Sequence, residues 1–179
     1  STFNEILIKT LKDNFLKNTN FPIIIISSEK IFRKELKKFK TKISLEKFDN
    51  SENLNKKKVY IIDIPLDDKN LTLNKKNFYI KKSFEVGLNL IKEKRSFALI
   101  NGPISKTTFL KGKYNGITEY LAFKTRTNNE VMFLFNKKLS VSPITTHIPI
   151  DKVAKKIKKE IIIKKINSIN NFYKKFLGF

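Results

Sequence analysis

His147 is the only histidine in the chain, within Ser142-Pro-Ile-Thr-Thr-His-Ile-Pro-Ile150 between a predicted strand and a predicted helix. In open α/β sheets ligands bind at the carboxyl ends of strands. An imidazole placed there, beside two threonine hydroxyls, can ligate a metal through one nitrogen and hydrogen-bond through the other. The plainer alternative is a structural histidine that fixes a turn. One histidine is also not a metal site, since a divalent ion takes about three or four protein ligands.

Two further segments carry groups suited to chemistry. Asn101-Gly-Pro-Ile-Ser-Lys106 follows a predicted buried strand. Its glycine permits close backbone approach, and Ser105 and Lys106 offer a donor and a positive charge to an anion. An ordinary strand-to-helix turn accounts for it equally well. In Asn115-Gly-Ile-Thr-Glu-Tyr120 a turn is followed by a hydroxyl and a carboxylate at a helix start. Thr118 can hydrogen-bond a phosphate or hydroxyl, or simply cap the helix. There is no GxGxxG fingerprint and no Walker loop. The chain has no cysteine, which excludes disulfides, thiolate metal sites and cysteine nucleophiles.

The elements that must position these groups are legible as periodicity. Phe3, Ile6, Leu7, Leu11 and Phe15 share one face of a helix predicted over Phe3 to Leu16. Pro22 to Ile26 is a continuous apolar run, as expected of a strand buried on both faces. Ser27-Ser28-Glu29 signals the start of a helix through about Phe39. Short strands are predicted near Ile43 to Leu45 and over Val59 to Ile64, separated by a polar loop over Asp49 to Lys57. Leu66 to Lys76 is polar, and a helix follows over Ser83 to Lys94 with Phe84, Leu88 and Ile91 on its apolar stripe. Phe97 to Ile100 reads as the next buried strand, Ile117 to Lys124 as a helix, and Glu130 to Phe135 with Leu139 to Pro143 as adjacent strands. Asp151 is placed to N-cap a helix beginning at Lys152. Ile162, Ile166, Ile169, Tyr173 and Phe176 share one face of a final helix. Strands alternating with helices predict an α/β fold with a mostly parallel sheet and some antiparallel pairing.

A chain of 179 residues with 40% hydrophobic residues can bury a core in one or two domains. No apolar run reaches the roughly 20 residues that span a bilayer, and no signal peptide is visible, so a cytoplasmic location is expected. The net charge of +22 raises nucleic-acid binding. Against it, the charge is almost all Lys, with Arg33, Arg95 and Arg126 the only arginines, and the lysines run along the whole chain. Arginine is the better bidentate reader of phosphate and guanine. No specific nucleic acid is expected as a partner, and no membrane.

Taken in order, three segments resemble one family. Phe97-Ala-Leu-Ile-Asn-Gly-Pro-Ile-Ser-Lys106 resembles the "alvTGPvhK" segment of 4-hydroxythreonine-4-phosphate dehydrogenases. Asn115-Gly-Ile-Thr-Glu-Tyr-Leu121 resembles their "GHTEfla" segment, and Thr145-Thr-His-Ile-Pro-Ile150 their "TTHlPL" segment. Before Phe97 the likeness is mainly one of pattern, with Glu5-Ile6 similar to the end of an N-terminal "GEPaGIGPEi" motif.

The resemblance implies a three-layer α/β/α fold like that of isocitrate and isopropylmalate dehydrogenases, incomplete in this chain. Residues 1–179 would be the N-terminal portion, truncated at both ends, with the second half of the family fold absent. It implies NAD-dependent oxidation and decarboxylation of 4-phosphooxy-L-threonine to 3-amino-2-oxopropyl phosphate in vitamin B6 synthesis. A divalent cation (Zn, Mg or Co) would be a second cofactor, and the whole enzyme a homodimer. His147 matches the first of three metal-binding histidines, and Thr118 the second residue of a substrate-binding His-Thr pair. Lys106 matches the lysine of the first segment. Ile117 stands where the pair's histidine belongs and cannot hydrogen-bond a substrate. That departure implies an altered substrate or a divergent, non-catalytic relative. The 179-residue chain alone is expected to lack dehydrogenase activity.

Overall fold

The computed structural model describes residues 2–12, 15–49, 54–136 and 138–178. They form two compact units, Ser1–Ile104 and Ser105–Phe179.

In the first unit, helices α1 (Thr2–Lys12) and α2 (Phe15–Asn18) precede strand β1 (Ile23–Ser27). Helix α3 (Glu29–Lys38), strands β2 (Leu45–Lys47) and β3 (Val59–Asp63), and helix α4 (Leu73–Lys92) follow. The strands make a parallel sheet in the order β1-β3-β2. Ile23 pairs with Val59 and Ser27 with Asp63 on one side of β3, and Leu45 pairs with Val59 on the other. Side chains alternate across a strand, and this sorts the isoleucines between two layers of helices. Ile25, Val59 and Ile61 meet Ile8 and Leu11 of α1 and Phe32 and Leu36 of α3 in one core. Ile26 points to the opposite face, where a Cβ on Gly87 of α4 would lie 3.3 Å from its Cδ1. The unit therefore has the expected α/β/α layering. Phe32 and Ile8 are fully buried, and burying each such side chain contributes about 1.5–3 kcal/mol.

α3 begins where its sequence says it should. Ser28 is the N-cap, and its hydroxyl accepts from the amide of Ile31. At the carboxyl end of β1, the Tyr79 hydroxyl of α4 donates to Ser27 Oγ at 3.2 Å and accepts from the Ser28 amide at 3.0 Å. The Asp63 carboxylate accepts from the amide of Glu29 at 2.8 Å. The N-terminus of α3 is thus neutralised from within the fold.

In the second unit a π-helical turn, Lys106–Leu110, precedes helix α5 (Ile117–Thr125). A 3-10 turn, Ile150–Lys152, leads into helices α6 (Val153–Lys156) and α7 (Lys159–Phe172), and a π turn, Tyr173–Leu177, follows. Among the described residues no helix is long and apolar enough to cross a membrane.

Several expectations need correction. Phe97 to Ile100 is not a buried strand; Phe97 and Ile100 are exposed, and the segment finds no ladder partner among the described residues. α4 starts ten residues before the predicted Ser83, because Thr72 caps it by accepting from the amide of Lys75. Its first turn, Leu73 to Lys76, is wholly exposed, and the apolar residues that follow, Phe78, Tyr79 and Ile80, are consecutive and so give no helical spacing to signal it. The two predicted strands of the second unit reduce to one antiparallel bridge, Leu134 with Val141. Asp151 caps nothing, because the chain leaves Pro149 through a 3-10 turn that contains Asp151. The predicted final helix is present as α7 and the π turn after it; on its apolar face Ile162, Ile169 and Tyr173 are half-buried, and Ile166 and Phe176 are exposed. The predicted first helix is α1 and α2, with residues 13 and 14 outside the described residues, as are 50–53 of the predicted loop.

Candidate functional site

The second unit holds a cavity of about 260 Å³ whose lining includes Lys106, Thr118 and His147. The three residues singled out in the sequence come from three segments, and local structure explains how each is held.

Lys106 opens the π turn. Ser105 caps that turn, its Oγ accepting from the amide of Thr108 at 3.3 Å and lying 3.2 Å from Thr107 Oγ1. The serine hydroxyl expected to serve an anion is therefore engaged in local structure, and Ser105 does not line the cavity. An aromatic cluster fastens this turn to α5. Phe109 meets Tyr120 edge-on at 5.3 Å, and Tyr114 meets Tyr120 at 5.4 Å and Phe123 at 5.5 Å. Such pairs are worth about 0.5–1.5 kcal/mol each beyond their burial. Leu110, Gly116, Tyr120 and Ala122 are the buried residues of this part.

Thr118 sits in the first turn of α5. Gly116 is the N-cap, and no side chain caps the helix by a hydrogen bond. The Thr118 hydroxyl is not spent on capping and faces solvent at the cavity. Ile117 beside it is a half-buried apolar wall. The Glu119 carboxylate folds back over Gly116, its Oε2 3.0 Å from where a Cβ on that glycine would be. A negative charge there complements the helix dipole.

His147 has a left-handed backbone, with φ of 55°. The other described non-glycine residues with positive φ (Lys40, Lys94, Lys111 and Arg126) each close a helix. His147 does not. It lies in a loop, two residues before Pro149, with its side chain exposed at the cavity. Histidine is among the side chains that visit this region more readily, and residues held there cluster at functional sites. Its loop is stapled from α7: Lys165 Nζ donates to the carbonyls of Ile144 at 2.9 Å and Pro143 at 3.3 Å. Ser142 Oγ donates to the carbonyl of Met132 at 2.8 Å, tying the loop to the opposite arm of the hairpin. Phe133 then packs against Phe172 and Tyr173 at the end of α7.

A metal fits the described residues only in part. Among them no group of three or more His, Cys, Asp and Glu is placed to hold an ion. His147 offers one imidazole, so the described residues do not complete a metal centre by themselves. Lys165, a cavity residue, escaped sequence reasoning. It lies in a lysine-rich helix where no spacing sets it apart from Lys164.

The model of the family described as pyridoxal phosphate biosynthetic protein PdxA matches residues 19–179. The chain belongs to the PdxA family. It is 34% identical over 181 residues to a 4-hydroxythreonine-4-phosphate dehydrogenase of a Sulfurihydrogenibium species, covering 98% of this chain and 55% of that one. To the enzyme of that name from Aquifex aeolicus it is 28% identical over 165 residues, covering 87% and 50%. The fold is that of solved PdxA-family structures. The 4-hydroxythreonine-4-phosphate dehydrogenase of Klebsiella pneumoniae superposes with a TM-score of 0.78 at 24% identity, covering 96% of this chain and 54% of that one. That of Burkholderia phymatum gives 0.74 at 23%, covering 92% and 52%. The chain spans about half the length of the curated relatives it matches.

Proposed function

We propose that this PdxA-family chain serves the NAD-dependent oxidation and decarboxylation of 4-phosphooxy-L-threonine to 3-amino-2-oxopropyl phosphate in vitamin B6 synthesis. The observation that carries the reading is the shared cavity of Lys106, Thr118 and His147. These residues occupy the matched positions in the three segments that resemble the family. Lys106 supplies positive charge to the phosphorylated substrate, and Thr118 a free hydroxyl. His147 supplies one ligand to a divalent cation whose other ligands lie outside the described residues. The whole protein acts in the cytoplasm as a homodimer, and this chain forms its N-terminal portion. When bound, NAD would supply the hydride acceptor for this oxidation.

Titration with 4-phosphooxy-L-threonine, followed by amide NMR shifts, tests the substrate. Saturable shifts at Gly116, Thr118 and His147 are expected, weakened by Thr118→Val; no shift at these positions overturns the reading. With NAD added, the 179-residue chain alone should form no NADH. Sustained NADH formation would show that the residues present suffice.

A further inference from the structure

Lys165 differs from its lysine neighbours on α7. Lys159 and Lys164 are exposed, whereas Lys165 is half-buried and lines the cavity. An ammonium group carries three donors. Two of them go to the carbonyls of Ile144 and Pro143. The third has no acceptor among the described residues, and Lys165 makes no ion pair there.

A partly desolvated cation with a donor to spare is stabilised by an anion. Lys106 brings a second positive charge to the same cavity, also without an ion pair among the described residues. The cavity's two carboxylates, Glu119 and Glu130, form no ion pair with these lysines among the described residues. Glu119 is turned back over Gly116 at the start of α5, and Glu130 is exposed and unpaired among the described residues. Ile117 offers no donor on its wall. Two cations and the Thr118 hydroxyl suit a dianion better than a single carboxylate, which one cation balances.

We propose that Lys165 is the anchor for a phosphate monoester in this cavity, with Lys106 and Thr118 as accessory donors. The inference rests on the functional reading above in taking a phosphorylated substrate, and it names the residue that holds the phosphate. The ammonium serves two purposes: its carbonyl bonds fix its position, and its remaining N–H meets the ligand.

The test uses two probes, inorganic phosphate and 4-phosphooxy-L-threonine, titrated separately against the 179-residue chain. Affinity is read from saturable amide shifts at Gly116 and Thr118, and from the side-chain nitrogen resonance of Lys165. Lys165→Gln keeps donors for the carbonyls and removes the charge; it should weaken both probes roughly ten- to a hundredfold, the range of a charge-assisted hydrogen bond. Lys165→Arg should restore most of the loss. Lys155→Met, at an exposed position outside the cavity, should change neither. A merely structural staple predicts near-normal binding in Lys165→Gln, and that result overturns the inference while leaving the substrate reading standing. Phosphate binding that depends on Lys165, with 4-phosphooxy-L-threonine bound no better than phosphate, overturns the substrate reading and supports the anchor. If Lys165→Gln fails to fold, the wild-type Lys165 nitrogen decides: no shift with either probe overturns the anchor.

Discussion

Gly102 approaches Phe3 so closely that a Cβ at residue 102 would lie 2.3 Å from the ring carbon Cγ and 2.7 Å from Phe3 Cβ. The absence of a side chain at residue 102 therefore serves packing against α1. Glycine at this position permits the close backbone approach expected from the sequence, and what approaches it is an aromatic ring of the same unit. Gly102→Ala should destabilise the first unit by about 1–3 kcal/mol, the usual cost of overpacking. In a double-mutant cycle, Phe3→Ala should relieve much of that cost, because it removes the ring the methyl strikes. Thermal melts of the two single variants and the double variant decide it; strict additivity would rule out the clash as the cause.

Tyr79 reaches from α4 to the end of β1 and satisfies two serine groups at once. It donates to Ser27 Oγ and accepts from the Ser28 amide, and both serines are buried. Tyr79→Phe leaves a buried N–H without that acceptor, which costs about 1–3 kcal/mol. The expected result is a lower urea midpoint with an unchanged slope. A variant as stable as the parent would mean that the serines find other partners.

These two contacts show which parts of the architecture sequence reasoning reaches. The strands β1 and β3 were legible because each is a continuous apolar run, and the start of α3 because Ser28 is a strong N-cap. Phe97 to Ile100 misled because an apolar run looks alike whether or not a neighbouring strand pairs with it; pairing is a tertiary property. The first turns of α4 were hidden because Lys and Asn there face solvent and leave no periodic trace. The cavity's three segments were legible only as an ordered set of motifs. Lys165 was not, because its distinction is half-burial and two carbonyl contacts, which no lysine-rich helix displays in its letters.

The surface ion pairs set a pH dependence whose sign follows from their direction. The Lys34 ammonium, hydrogen-bonded at 3.0 Å, holds the Asp68 carboxyl below the ordinary carboxylate range, with Lys30 adding to the effect. Lys9 does the same for Glu5 at 2.6 Å. A depressed folded pKa means stabilisation that is fully present above the unfolded value of about 4 and is lost as pH falls through the folded value. Lys58 runs the other way. The Glu46 carboxylate, 2.5 Å away, raises its pKa. That stabilisation is fully present below the unfolded lysine value of about 10.4 and is lost as pH rises through the folded one. Asp68→Asn should lower the urea midpoint slightly near neutral pH, and the difference from wild type should vanish in acid. Added salt should shrink the gap, because these pairs lie at the surface. A gap that persists at low pH would assign the effect to something other than the charge.

The left-handed backbone at His147 separates two reasons for a histidine there. A β-branched residue at positive φ is a genuine outlier, whereas glycine adopts it freely. His147→Val should therefore lose about 1–3 kcal/mol of stability, and His147→Gly should keep or slightly raise the melting temperature of the loop's unit. Metal binding should respond differently. If the imidazole is a ligand, both variants lose Co(II) or Zn(II) affinity alike, including the well-folded glycine variant. Because the described residues of this chain offer one imidazole and no group of three ligands, calorimetric titration with each ion is made on the whole protein and on the same two variants of it. Equal metal binding by wild type and His147→Gly would leave the histidine as a residue kept for its turn. Loss in the glycine variant, with its fold intact, would assign the imidazole to the ion.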